Sequence, residues 1–496
     1  MYFLGIDIGS SSVKVSVFNG DSGLTIAATH YPKLEMEIAS PQPGWAEQSP
    51  EFWWQCVKDA CGELFTQKAI DPSAIQAIGI TYQMHGLVCV DKAQQVLRPS
   101  IIWCDSRAVQ LGNEALNELG ESYCFEQLLN SPGNFTAAKL RWVQLNEPEL
   151  FAKIHKIMLP GDYIAMRLSG DITTTATGLS EGMLWNHKAQ QPEQGLLQLW
   201  GMSASLIPEL VPAIGEQVSV SASCAEELGL KPGTPVCYRC GDQPNNAFSL
   251  NVLNPGDVAA TAGTSGVIYS VTDKAIGDRK HRVNTFQHVT HNEQAPRNGI
   301  LACVNGAGRS FSWLREILSA AGNTVDYGTL NDAASKTPIG SNGLNFMPFG
   351  NGAERIFNNA VLGGGLVDID FNRHSLGHIV RATQEGIVFA LKAGFEVIES
   401  LGGASKVIRA PSSSLFLSPL FQYAFCNTTQ CTLELLTTDS VEGAARGAAL
   451  GHGFFKNEKE TFQSIKRADI FEPEPNAMEQ YADAYARWKK HLSQTV

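Results

Sequence analysis

Two stretches half a chain apart constrain the fold more than any other feature. "FLGIDIGSSSVKVSVFN" (residues 3–19) is an apolar run that stops on Asp7, turns through Gly9-Ser10-Ser11-Ser12 and resumes as an alternating strand. "GDVAATAGTSGVIYSVT" (256–272) repeats the plan, with Gly263-Thr264-Ser265-Gly266 at the turn. A strand–turn–strand unit at the start of each half points to two similar domains facing each other across a cleft. Length agrees, since 496 residues exceed what one core supports, about 250–300 residues. The turn-forming "LNPGD" (253–257) suits the junction, and the expected division is 1–246 and 247–496.

Composition narrows the class. Hydrophobic residues make up 44% and charged residues 17%, the balance of a folded chain with its own cores. A net charge of −12 argues against nucleic acid and anionic membranes as general partners. No apolar run reaches the ~18 residues of a membrane span, and Asp7 interrupts the N-terminal run too early for a signal peptide. The 11 cysteines are scattered and odd in number, as suits a reducing compartment. Cys237 and Cys240 have a C-x-x-C spacing, but they lie in a β-prone run without a second pair or a His, so a buried strand is expected there. The cytoplasm is the expected location.

Strand and helix patterns alternate, which predicts an α/β architecture. "SPEFWWQCVKDACGELF" (49–65) has Ser49 as N-cap and Trp53, Val57, Cys61 and Leu64 at helical spacing. "IQAIGITYQMHGLVCVD" (75–91) reads as a strand, a loop at Gln83–Gly86 and a second strand. "NAMEQYADAYARWKKHL" sets Tyr481, Tyr485, Trp488 and Leu492 on one helical face.

Turns of small residues expose consecutive backbone N–H groups, and such nests bind anions. Two facing turns could hold a nucleotide's phosphates. Asp7 beside them makes sense if Mg²⁺ lies between carboxylate and phosphate; otherwise each stretch is a solvated hairpin. "RCGDQPNNAFS" (239–249) carries Asp242 out of an apolar strand. That carboxylate suits proton abstraction from a sugar hydroxyl, and it equally suits capping a helix. Trp103 beside Asp105 and Arg107 in "IIWCDSR" suits the face of a polyol, while Asp105 and Arg107 also read as a local ion pair.

Together these stretches resemble the FGGY carbohydrate kinase family, most closely its xylulokinase branch, nearly end to end. The opening around Asp7, Gly9, Ser12 and Lys14 is similar to the family's first phosphate motif, and "AGTSGV" (262–267) to its second. "PGWAEQSPEFWWQ" (43–55), "YQMHGLVCVD", "LRPSIIWCDSRA" and "FTAAKLRWVQLNEPELF" (135–151, with Lys139 and Trp142) are similar to further family segments. So are "MPFGNGAERIFNNAVLGGGL" (347–366) and "RATQEGIVFAL" (381–391).

The resemblance implies two actin-like, ribonuclease-H-like domains with an interdomain catalytic cleft for sugar and ATP. It implies ATP-dependent phosphorylation of a ketopentose, D-xylulose to D-xylulose 5-phosphate, with Asp242 as general base and Asp7 supporting Mg²⁺. Met84, His85, Trp103, Asp105, Asn134 and Gln243 would face the sugar. Gly9, Ser12, Gly263, Thr264 and Gly308 would face the nucleotide, as would Ala410 and Ser412. Another sugar or polyol (ribulose, rhamnulose) and a catalytically silent sugar-binding regulator are the alternatives. A homodimer is a candidate assembly.

Three departures from the family pattern stand out. Gln243 and Pro244 follow Asp242 where Asn and small residues are usual, and Asn134 stands where Gly or an aromatic is common. "RAPSSS" (409–414) replaces a glycine-rich stretch, and its Pro fixes φ while Ala resists positive φ.

Overall fold

The computed structural model describes residues 1–495 except positions 69, 321, 323 and 404. The opening repeat forms β1 (Tyr2–Ile8) and β2 (Val13–Asn19), paired antiparallel from Tyr2–Asn19 to Ile8–Val13. A turn at Asn19–Gly23, closed by Gly23 N–H donating to Asn19 O at 2.8 Å, leads into β3 (Leu24–Tyr31). With β4 (Ile75–Tyr82), β5 (Ile214–Ser219) and β6 (Pro235–Gly241) these strands make a six-stranded sheet in the order β5-β6-β4-β1-β2-β3. Strands β4 and β6 run parallel to β1, whereas β2, β3 and edge strand β5 run antiparallel to their neighbours.

The second repeat builds the same plan. Its strands are β7 (Val258–Ala262), β8 (Gly266–Thr272), β9 (Asn284–Gln287), β10 (Asn298–Val304), β11 (Val407–Pro411), β12 (Thr432–Thr437) and β13 (Lys466–Phe471). They form a seven-stranded sheet in the order β9-β10-β8-β7-β11-β12-β13. A central strand again carries an antiparallel meander on one side, β8 and β10, and two parallel strands on the other, β11 and β12. The shared order of five strands makes the duplication architectural, beyond the likeness of two turns.

The main helices are α1 (Pro50–Lys68), α2 (Thr136–Asn146), α3 (Asp242–Ser249), α4 (Ala307–Ser319), α5 (Leu376–Ser400), α6 (Ser440–Gly451) and α7 (Pro475–Thr495). Ser49 Oγ accepts from Phe52 N–H at 3.2 Å at the start of α1, and Trp53, Val57, Cys61 and Leu64 are buried along it, as the spacing predicts. Tyr481, Tyr485, Trp488 and Leu492 on α7 pack into the second core with Phe349 and Phe389. Cys237 and Cys240 are buried in β6, and all 11 cysteines are free.

Helix α6 comes from the second half of the chain yet lies on the first sheet. Ala444, Ala445, Ala448 and Ala449 share a cluster with Phe3, Phe18 and Tyr238. A Cβ on Gly5 would sit 2.2 Å from Val441 O, and one on Gly79 1.9 Å from Ala444 O, so adjacent strands β1 and β4 need glycine for this close approach. Position 246/247 lies inside α3, and residues 250–257 connect that helix to β7. Between β4 and β5 a third cluster, including Leu87, Phe135, Leu179 and Trp185, packs the segment that carries the sugar-facing motifs.

Candidate active site

Ligands of open α/β sheets bind outside the carboxyl ends of parallel strands. In the first sheet those ends are level: Ile8 pairs with Tyr82, and Tyr82 with Gly241. Asp7, the Met84–His85 loop and Asp242 therefore emerge side by side from three neighbouring strands, although they lie far apart in sequence.

The first turn is closed by Gly9 N–H donating to Ser12 O at 3.1 Å. Two glutamines brace it. Gln48 Nε2 donates to Ser10 O at 2.7 Å, and Gln83 N–H to Ile8 O at 2.8 Å. Gln48 Oε1 in turn accepts from Trp53 Nε1 and Gln83 Nε2, at 3.2 and 3.0 Å. The stretch 43–55 thus fixes the turn from behind. The second turn, Gly263–Ser265, rests on the start of α4: Gly308 N–H donates to Gly263 O at 3.0 Å and Arg309 N–H to Thr264 O at 3.1 Å. A Cβ on Gly308 would lie 2.1 Å from Gly263 O, so glycine is required there.

Asp7 is buried and accepts from Ser440 Oγ at the start of α6. Burial, the chief cause, raises its carboxyl above the ordinary range and Asp439 adds to this, while Lys14 and Ser440 oppose it. Asp242 opens α3, but Gly241 holds the cap position, so the carboxylate is not spent on capping. Gln243 Nε2 donates to Asp242 Oδ2 at 3.2 Å. Burial, then the neighbouring carboxyls of Asp7 and Glu181, push the Asp242 carboxyl up to about 7. A carboxylate poised there is suited to general-base work near neutral pH.

Glu181 did not stand out in the sequence. It is buried, its Oε2 accepts from His85 N–H at 2.8 Å, and His85 Nδ1 lies 3.2 Å from the same oxygen. Burial pushes its carboxyl up to about 8, and the His85 imidazole down to about 3. A neutral acid therefore orients a neutral imidazole. A Cβ on Gly241 would sit 2.6 Å from Met84 Cγ and 3.0 Å from Glu181 Oε1, which places both side chains against the residue preceding Asp242. The signal for Glu181 was available as a lone carboxylate in the otherwise uncharged "TTTATGLSEGMLW".

The remaining expected sugar contacts divide into holders and presenters. Asp105 is fully buried, and its carboxylate accepts from Ala46 N–H at 2.6 Å, Arg107 N–H at 2.9 Å and the Arg107 guanidinium at 2.7 Å. It presents no free oxygen to a sugar and instead fixes its loop. Arg107 also pairs with Glu47 at 2.7 Å and stacks 3.8 Å from the Trp45 ring centre. Lys139 Nζ donates to His85 O at 2.8 Å and Ile102 O at 2.9 Å, joining the two sugar-facing loops. Asn134 Nδ2 donates to Asp105 O, whereas its buried Oδ1 has no partner, and Trp103 is 45% exposed.

On the interior strand β11 of the second sheet, Ala410 pairs with Leu435 and its methyl is fully buried in the core, so this side chain does not face a nucleotide. The Ser412 N–H is taken by Leu436 O at 2.9 Å. Left-handed backbone occurs three residues past Pro411, at Ser414 with φ 53°. Ser413 and Ser414 are the exposed residues of "RAPSSS", with Ser412 half-buried.

Among the described residues no group of three or more His, Cys, Asp or Glu could hold a metal unaided. Asp7 alone beside a phosphate nest fits Mg²⁺, which takes one or two carboxylates and otherwise keeps water and phosphate oxygens. The mutual repulsion of Asp7 and Asp242 is what a bound cation would relieve.

Comparison with known proteins agrees with this geometry. The N-terminal-domain model of the FGGY family of carbohydrate kinases matches residues 2–249, and the C-terminal-domain model matches residues 258–453. The xylulose kinase of Bacillus subtilis (strain 168) is 29% identical over 512 residues, covering 100% of this chain and 97% of that protein. The crystal structure of xylulose kinase from Rhodospirillum rubrum has a TM-score of 0.88 at 25% identity, covering 100% of this chain and 99% of that one. The gluconate kinase structure from Lactobacillus acidophilus, with a TM-score of 0.88 at 21% identity and coverage of 99% and 98%, shares the fold.

Proposed function

The chain belongs to the FGGY family of carbohydrate kinases, with two actin-like domains, and we propose that its reaction is transfer of the γ-phosphate of ATP to a ketopentose, D-xylulose first, giving D-xylulose 5-phosphate. The observation that carries this reading is Asp242: an uncapped carboxylate at the end of β6, raised to about 7 and next in chain to a glycine packed against Met84.

In this reading Asp242 takes the proton of the attacking hydroxyl as that oxygen bonds to the γ-phosphorus and the bridging oxygen leaves with ADP. Phosphoryl transfer asks mainly for alignment and charge stabilisation. Backbone N–H groups of the Gly9–Ser12 and Gly263–Thr264 turns line the phosphates from the two halves, with Gly308 setting the position of the second turn. Asp7 would hold Mg²⁺, which when bound supplies neutralisation of phosphate charge. Met84, His85, Asn134 Oδ1 and Trp103 face the sugar, and Gln243 takes the place of the Asn usual after the base. Residues 1–246 bear the sugar site and first phosphate turn, residues 247–496 the nucleotide site. A cytoplasmic enzyme, alone or as a homodimer, is consistent with this. Among the described residues no helix is long and apolar enough to cross a membrane.

The deciding experiment is a coupled ADP-release assay across D-xylulose, ribulose, rhamnulose, glycerol and gluconate with Mg²⁺. The highest kcat/KM is expected for D-xylulose; a higher value for any other acceptor removes the xylulose assignment.

A further inference from the structure

Arg355 lies on the second half of the chain, in a one-turn helix (Arg355–Phe357) pinned to the end of β10. Glu354 is fully buried and accepts from Asn305 N–H at 3.1 Å, while Asn305 Nδ2 donates to Ala353 O at 2.7 Å. These bonds use up the acid next to Arg355 and leave its guanidinium without a carboxylate partner among the described residues.

The guanidinium points instead at the first half. It lies 5.8 Å from the Phe135 ring centre. Phe135 meets the His85 ring edge-on at 4.8 Å, and Phe286 closes the corner at 5.3 Å from His85 and 5.8 Å from Phe135. Three titratable groups among the described residues face Arg355, and none of them supplies a negative charge near pH 7. His85 is pushed down to about 3, His281 is lowered by burial and then by Arg355 itself, and burial pushes the Cys303 thiol up to about 12. Cys303 pairs with Val267, two residues past the second turn, and the Asp242 carboxylate helps to raise its thiol, so this corner adjoins the site of transfer.

Arg355 is half-buried, so its guanidinium has lost part of its hydration with no counter-charge beside it, and a ligand that supplies acceptors would restore what is missing. A guanidinium presents five donors in a fixed fork, and the surrounding imidazole, phenyl and thiol groups match an acyclic polyhydroxylated ligand with apolar faces. We propose that Arg355 is the second half's sugar-recognition residue, donating to oxygens of the ketose held against His85 and Phe135, so that the sugar site is complete only when both halves contribute. This inference rests on the sugar-kinase reading above and extends it to a residue that reaches across the cleft.

The test uses Arg355→Gln, Arg355→Lys and Arg355→Ala in the full-length enzyme, with ADP release measured against each sugar of the panel. KM for the sugar is expected to rise about 10–100-fold in Arg355→Gln, the loss of a charged hydrogen bond. Arg355→Lys should fall between, with kcat and KM for ATP little changed. Added guanidinium ion should lower the sugar KM of Arg355→Ala, a rescue that reports a direct contact even where one variant folds poorly. An unchanged sugar KM, a loss confined to kcat, or a parallel rise in KM for ATP would each overturn the proposal. A wild type that prefers another sugar, and loses affinity for it in Arg355→Gln, overturns the xylulose assignment while keeping Arg355 in place.

Discussion

The two hairpin turns descend from one plan and end up chemically unequal. The first spans four residues between Ile8 and Val13, the second three between Ala262 and Gly266. Counting back from those pairs, Asp7 in the first hairpin corresponds to Thr261 in the second. At this position the first half carries a carboxylate and the second a threonine. The first turn is braced by the side-chain amide of Gln48, itself held by the Gln83 side chain, and the second by backbone N–H groups at the start of α4. Duplication supplied two similar cradles, and divergence placed the acid chemistry on one of them. A phosphate-transfer cleft needs this inequality, because a second carboxylate opposite the first would add repulsion exactly where anionic phosphates must lie.

That comparison can be broken experimentally, starting with the residue that belongs to one half only. Asp242→Asn removes the proposed base and should lower kcat about 10²–10⁴-fold while leaving KM for the sugar largely intact. Near-normal turnover would take the base away from the first half altogether.

Asp7→Asn should cost about 10–100-fold in activity and weaken the dependence on Mg²⁺. Its counterpart Thr261→Val should change little, and equal losses would make the turns equivalent. The pH profile adds a second reading of the same variant. Asp242 works ionised, so kcat/KM for the sugar should rise with pH through about 7 in the wild type. Asp7 is one of the charges that holds the Asp242 proton on, so without it the acidic limb should move to lower pH. A limb that stays in place would mean that the two carboxylates do not sense each other in the working enzyme.

Gly308→Ala should raise KM for ATP about 10-fold, because the new Cβ would have to displace Gly263 O from 2.1 Å. Gly9→Ala should be milder: the nearest atom to a Cβ there is Ser12 O at 3.0 Å, and Gly9 is not among the residues with positive φ. The reverse order would show that the first turn, not the second, depends on its glycine.

Local patterns made much of the architecture legible. The repeat at residues 3–19 and 256–272, the helical faces at 49–65 and at the C-terminus, and the strand–loop–strand of 75–91 all appear where apolar periodicity puts them, since period and burial are set by nearest neighbours along the chain. Asp242 was legible as a carboxylate leaving a strand, but its freedom from capping the following helix was not. Gly241 holds the cap position instead. Asp105 illustrates the opposite case: its polar, aromatic surroundings suggest ligand contact, yet Arg107 and Ala46 consume its oxygens. Ala410 likewise faces a core that the motif alone did not reveal.

Residue order by itself determined the duplication, the α/β class and the two turns of small residues, because each of these is written in spacing within some twenty residues. Tertiary structure alone decided the rest. Level strand ends bring Asp7, His85 and Asp242 together across more than two hundred positions of sequence. Burial gives Glu181 and Asp242 their raised carboxyls, and the approach of the two halves sets Arg355 against Phe135. Desolvation and charge proximity depend on what the fold places nearby, and no local pattern encodes them.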